Sequence, residues 1–166
     1  GQRLVDPEIF QGVHPIKRNN GEIGNTRLGG VGPHWRQMTP SFRLLSGRMP
    51  RPGTRELLAG ILARRKFSGL DSGTVEYKGQ HWRIAGTFTV GDWWDGYLIG
   101  DAAMVKAAAK TEIDNIVQVR LVSPSAFAQF ARHVVGRLPA HVMVERETDY
   151  YADFWRDVPD TVFIFA

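Results

Sequence analysis

Asp92-Trp93-Trp94-Asp95 is the densest grouping of potentially reactive or binding side chains in this sequence. Two carboxylates three residues apart can share acid and base roles, as a small hydrolase requires. Two adjacent indoles can grip a sugar ring or anchor a partner protein. The same residues also suit a plain loop whose indoles cover a sheet edge, because buried tryptophan is common. An exposed indole at Trp93 or Trp94 would point to contact with a partner protein. A ligand- or sugar-binding module built on this loop is the first alternative. A hydrolase using Asp92 and Asp95 is the second.

Other chemically capable residues are scattered. His14, His34, His81, His133 and His141 form no H-x-x-x-H or H-E-x-x-H pair, so no metal site has local support. Ser123 lacks a G-x-S-x-G elbow and reads as a helix cap ahead of Pro124. Residues 27–32, RLGGVG, are glycine-rich but lack the lysine and the strand-helix order of a phosphate loop. With no cysteine in the chain, disulfides, thiolate metal sites and cysteine nucleophiles are excluded. No catalytic residue, metal or cofactor is expected on these grounds.

Charge is uneven along the chain. Residues 1–83 hold 14 Lys/Arg against 6 Asp/Glu, whereas residues 84–166 hold 7 against 11. A basic half attracts nucleic acid, anionic lipid or an acidic partner. Arg64, Arg65 and Lys66 nevertheless fall in the last turn of a short helix expected over 61–67, where carbonyl ends favour each cation by ~0.3–1 kcal/mol. No aromatic residues interleave with them on a recognised module, so no nucleic-acid partner is expected.

These residues are positioned by elements that the spacing predicts. Strands are expected over 7–18, 22–31, 42–48, 56–59, 97–100, 113–122 and 140–147. The alternation in 74–78 and 81–90, with Gly79-Gln80 between them, predicts a hairpin, and Gly86 predicts a bulge in its second strand. Helices are expected over 61–67 with Gly69 as C-terminal cap, over 102–110 capped by Asp101, from Pro124 to Leu138, and over 148–158 capped by Thr148 or Asp149. The fold class is therefore α+β, a mixed β-sheet with a β-hairpin, three to four helices and those helices on one face. A length of 166 residues suits one core domain over 1–148, followed by a stalk helix over 149–166.

Several stretches in register resemble the extracytoplasmic core domain of MacB/FtsX-type ABC-transporter permeases. Gly47-Arg48, Arg51 to Glu56, Ala63 to Phe67, Gly69 to Gly73 and Ile84 to Phe88 follow the order of that family's GR, RPG-x-RE, ARRF, GL-x-x-G and VVG-x-F segments. LIGDAAMVKAAAK (98–110), VRLVSPSAFAQF (119–130) and VERETDYYADFW (144–155) are similar to its next three segments. The likeness runs from Ser46 to the end of the chain, while residues 1–45 match by strand pattern and by GVGP (30–33) alone. There is no room for the second, inserted subdomain of larger members. The resemblance implies a non-catalytic domain on the periplasmic face of a bacterial inner membrane. Its partners would be a second permease subunit, a cytoplasmic ATPase and an accessory envelope protein. Membrane helices would lie before residue 1 and after the apolar Val162 to Phe165. Tyr150, Tyr151, Phe154 and Trp155 would then sit at the bilayer interface, where aromatic residues gather.

Overall fold

The computed structural model describes residues 4–71, 73–137 and 143–150. Contacts divide the chain so that Leu4–Arg120 forms one compact unit and the residues from Leu121 onward belong to another.

The first unit is built on an eight-stranded mixed sheet. Its strands are β1 (Leu4–Val13), β2 (Thr26–Val31), β3 (Arg43–Gly47), β4 (Glu56–Gly60), β5 (Thr74–Tyr77), β6 (Gln80–Thr89), β7 (Leu98–Asp101) and β8 (Ile116–Arg120). The spatial order is β3-β6-β4-β7-β2-β1-β8, and β5 also pairs with β6. Arg83 pairs with both Glu56 and Thr74, which puts β4 and β5 on opposite edges of β6. β2–β7 and β4–β6 run parallel and the other pairs antiparallel.

β4 explains why both faces of the sheet are covered. All five residues of Glu-Leu-Leu-Ala-Gly are buried, the pattern of a central strand rather than of a half-solvated one. Side chains of successive strand residues point to opposite faces. Accordingly Leu57 and Leu98 belong to one core cluster, and Leu58 and Ile99 to another. The first cluster is closed by α2 (Ile61–Lys66) through Ala63 and by α3 (Ala102–Ala109) through Val105 and Ala108. The second is aromatic, with Trp35 from the one-turn α1 (Trp35–Met38), Phe88 and Trp94. Helical segments therefore cover both faces, not one: the single turn at Trp35 carries enough ring surface to close the second.

Local capping rules account for several ends. Asp101 accepts hydrogen bonds from the N–H groups of Ala103 and Met104 and so caps α3, as its position predicts. The β5–β6 turn is Lys78-Gly79, one residue earlier than expected, with φ of 51° and 70°. Two left-handed residues are what a tight two-residue hairpin needs to match strand twist. The bulge expected at Gly86 is present: Leu57 pairs with Ile84 but Leu58 with Gly86, which leaves Ala85 extra. A side chain on Gly86 would strike the Ser46 carbonyl. Gly69 does not cap α2. That helix ends at Phe67 in extended conformation, and the φ of +80° at Gly69 serves the following turn.

In the second unit, Pro124–Ala126 forms a 3₁₀ turn that leads into α4 (Phe127–Val135). Ser123 holds the cap position without a capping hydrogen bond, because its hydroxyl meets that of Ser125 at 2.9 Å. None of the residues of α4 is buried, and the Arg146 guanidinium lies 4.6 Å from the Phe127 ring. Residues 143–146 are irregular and 147–150 are helical, with Tyr150 N–H donating to the Arg146 carbonyl. Thr148 and Asp149 thus fall inside that turn instead of capping it. The first part of the strand expected over 140–147, and the stalk helix beyond Tyr150, lie outside the described residues.

Candidate functional site

The Trp93-Trp94 segment is a 3₁₀ turn over Trp93–Gly96, between the end of β6 and the start of β7. Its two carboxylates build it. Asp92 Oδ1 accepts the Trp94 N–H at 2.9 Å. Asp95, almost fully buried, accepts the Val90 N–H at 2.7 Å and the Thr89 hydroxyl at 2.7 Å. Burial pushes the Asp92 carboxyl above its ordinary range, against the pull of the Trp94 N–H and with the help of the nearby Asp95 charge. Both acids are committed to turn geometry, which leaves the hydrolase alternative without a carboxylate pair aimed at a substrate.

The indoles are not equivalent. Trp94 is 4% exposed and packs in the second core, 5.3 Å from Trp35 and 5.3 Å from Phe10. Trp93 is half-buried and stacks on Trp94 with ring centroids 4.6 Å apart at 24°. Its other neighbours are Tyr97 at 5.1 Å and Phe10 at 6.2 Å. Of the two indoles, the outer one presents surface, and their stacking leaves no slot for a sugar between them. Phe10 and Tyr97 complete this platform, yet sequence spacing gave no hint of Phe10, which lies on β1 and arrives through strand pairing.

At the other end of the sheet, the residues that carry the family resemblance make contact with one another. Glu56, 4% exposed, accepts a two-pronged ion pair from Arg48, at 2.7 and 2.5 Å. It also accepts the backbone N–H of Arg51 at 3.0 Å and the Arg51 guanidinium at 2.9 Å. The Arg48 hydrogen bonds, followed by those from Arg51, hold its carboxyl well below the usual carboxylate range. Gly53 N–H donates to Asp101 Oδ2 at 2.8 Å. Nearby, Asp6 on β1 is fully buried and receives the N–H groups of Gly32 at 2.9 Å and His34 at 2.8 Å, which pins the GVGP turn. Burial raises the Asp6 carboxyl, and these N–H groups oppose that rise.

The basic run on α2 is anchored structurally. Arg64 pairs with Asp71 at 2.8 Å, Arg18 pairs with the same carboxylate, and Lys66 lies 5.4 Å from the Phe67 ring. Tyr150 is 43% exposed; Tyr151, Phe154 and Trp155 lie outside the described residues. Among the described residues, no group of three or more His, Asp or Glu side chains is arranged to hold a metal ion. Nor is any described helix long and apolar enough to cross a membrane.

No family model matches the sequence. No curated protein matches it either. Solved structures do match. The extracellular domain of the noncanonic ABC-type transporter YknZ from Gram-positive bacteria superposes with a TM-score of 0.59 at 18% identity, over 80% of this chain and 74% of that one. A domain ascribed to a permease protein of Porphyromonas gingivalis gives a TM-score of 0.52 at 18% identity, over 90% of this chain and 68% of that one. The mixed sheet and its helices therefore have the fold of an ABC-transporter permease extracellular domain.

Proposed function

We propose that this chain is the extracytoplasmic domain of an ABC-type permease subunit of the MacB/FtsX kind. It carries out no chemistry of its own. It passes the movement of membrane helices to a rigid α+β body, and so couples ATP hydrolysis in the cytoplasm to export or extraction of a substrate. Its place is the periplasmic face of a bacterial inner membrane, with a second permease subunit and a cytoplasmic ATPase as partners.

The pairing of Leu4 with Arg120 carries this reading. The sheet unit begins and ends on neighbouring strands at one end, as a body inserted between two membrane helices requires. The Trp93 turn, after the far ends of β6 and β4, lies at the opposite end. There Trp93 is the contact for an accessory envelope protein, and Trp94 supports it from beneath. Tyr150, Tyr151, Phe154 and Trp155 form the aromatic belt at the membrane.

The test is purification of the full-length gene product from membranes. Recovery of a bound ATPase subunit is expected. A Trp93→Ala variant should keep the ATPase and lose the accessory protein. A product found only in the soluble fraction, without an ATPase, would overturn the proposal.

A further inference from the structure

Strand register places a cluster of cations at one end of the sheet. β8 ends at Arg120 beside the start of β1. β7 runs parallel to β2 and ends at Asp101, and β4 starts opposite that end. β3 runs antiparallel to β6 and delivers Arg48 to this same end. β6 pairs its Arg83 with Glu56, so the Lys78-Gly79 hairpin tip projects past the start of β4. Arg83 N–H bonds to the Arg55 carbonyl at 2.9 Å, which holds these two residues together. Arg48, Arg51, Arg55, Lys78, Arg83 and Arg120 are all exposed here. Arg48 and Arg51 are paired with Glu56, and Arg120 donates to the Gln37 carbonyl at 3.0 Å, so the positive charge offered outward comes chiefly from Arg55, Lys78 and Arg83. Asp6 is buried, and Asp101 is spent on Gly53 and α3. Among the described residues of this end, Glu76, opposite His81, is an exposed acid close by.

We infer that this rim is a docking surface for the anionic headgroups of the membrane outer leaflet. The inference rests on the permease reading, because that reading turns this end, where β1 begins and β8 finishes, toward the bilayer. Cations near an anionic surface each strengthen binding by about fivefold, and the effect decays within about 8 Å at physiological salt. The rim would set the height and tilt of the sheet above the membrane, which decides how helix movement reaches the Trp93 end.

The test compares binding of the 166-residue chain to phosphatidylcholine vesicles with and without phosphatidylglycerol. Neutral vesicles report insertion by apolar segments alone, so the difference between the two isolates the charge effect. The triple variant Arg55→Gln/Lys78→Gln/Arg83→Gln avoids the arginines that hold Glu56. It should lower binding to anionic vesicles on the order of a hundredfold. The charge-matched variant Arg27→Gln/Arg43→Gln/Arg65→Gln, changed elsewhere on the unit, should leave binding close to that of the parent. Equal loss in the two variants, or equal binding to neutral and anionic vesicles, would overturn the inference. So would displacement by inorganic phosphate beyond that of chloride at equal ionic strength, which marks a free-phosphate site. Rim-dependent binding by a gene product that has no membrane helices would sink the permease reading and leave the rim standing. A membrane-anchored product whose rim variants change nothing would sink the rim alone.

Discussion

Gly53 N–H meets Asp101 Oδ2 at 2.8 Å, while the other oxygen of the same carboxylate receives the Ala103 N–H at 2.8 Å. One side chain thus caps a helix and fastens a loop that lies 48 residues away in sequence. Loss of an N-cap costs ~1 kcal/mol, and loss of a loop hydrogen bond costs about as much. Asp101→Ala should therefore lower unfolding free energy by about 2 kcal/mol, with little change in the denaturant slope. Asp101→Asn keeps one strong acceptor and should lose less. Urea titration of both variants checks the order.

Glu56 predicts a pH signature. Its folded carboxyl is held well below the ordinary range, first by Arg48 and then by Arg51. A depressed group contributes stability above the ordinary carboxyl range, and that contribution is lost as pH falls toward the folded value. The melting temperature should accordingly drop between about pH 5 and about pH 2. Glu56→Gln should melt lower than the parent at neutral pH and show a shallower acid limb. Arg48→Lys should fail to restore the parent profile, because an ammonium cannot reproduce the two-pronged pair. An acid limb unchanged in Glu56→Gln would show that other carboxylates set it.

The two tryptophans should separate stability from contact. Trp94→Ala empties a packed position among Trp35, Phe10 and Trp93, and a large aromatic truncation in a core costs ~3–5 kcal/mol. Trp93→Ala removes a half-exposed ring and should cost clearly less. Its main effect should appear in capture of the accessory protein. Chemical denaturation alongside pull-down from envelope extracts distinguishes the two residues.

Lys78 holds a φ of 51° at the hairpin tip, a conformation that Asn adopts more readily than Lys. Lys78→Asn should raise stability by ~0.5–1 kcal/mol through the turn alone. It also removes one rim cation, so a gain in melting temperature with a loss of anionic-vesicle binding is the expected pair.

The local signals in the chain carried a good part of this fold. Alternation located the β5–β6 hairpin, Asp101 announced α3, and Gly86 announced a bulge that sits beside it in β6. Those features depend on residues a few positions apart. The Glu56 knot was less visible, even though Arg48 and Arg51 are close in sequence, because only the Pro50 to Gly53 loop folds them back onto one carboxylate. The Asp6 clamp on Gly32 and His34, and Phe10 beneath the Trp93 turn, were not legible at all. Each depends on which strands become neighbours, and hydrophobic period two fixes the faces of a strand without naming its partner. The same limit explains Trp35: nothing in the local spacing foretells that its single helical turn closes the second core. The unequal burial of Trp93 and Trp94 likewise needed the platform below them.

The measurement that bears most directly on the central proposal is the native reading frame on both sides of these residues. An apolar stretch of about 20 residues is expected ahead of Gln2, and another continuing from Val162. A stop immediately after Ala166, with no apolar stretch upstream, would contradict the proposal.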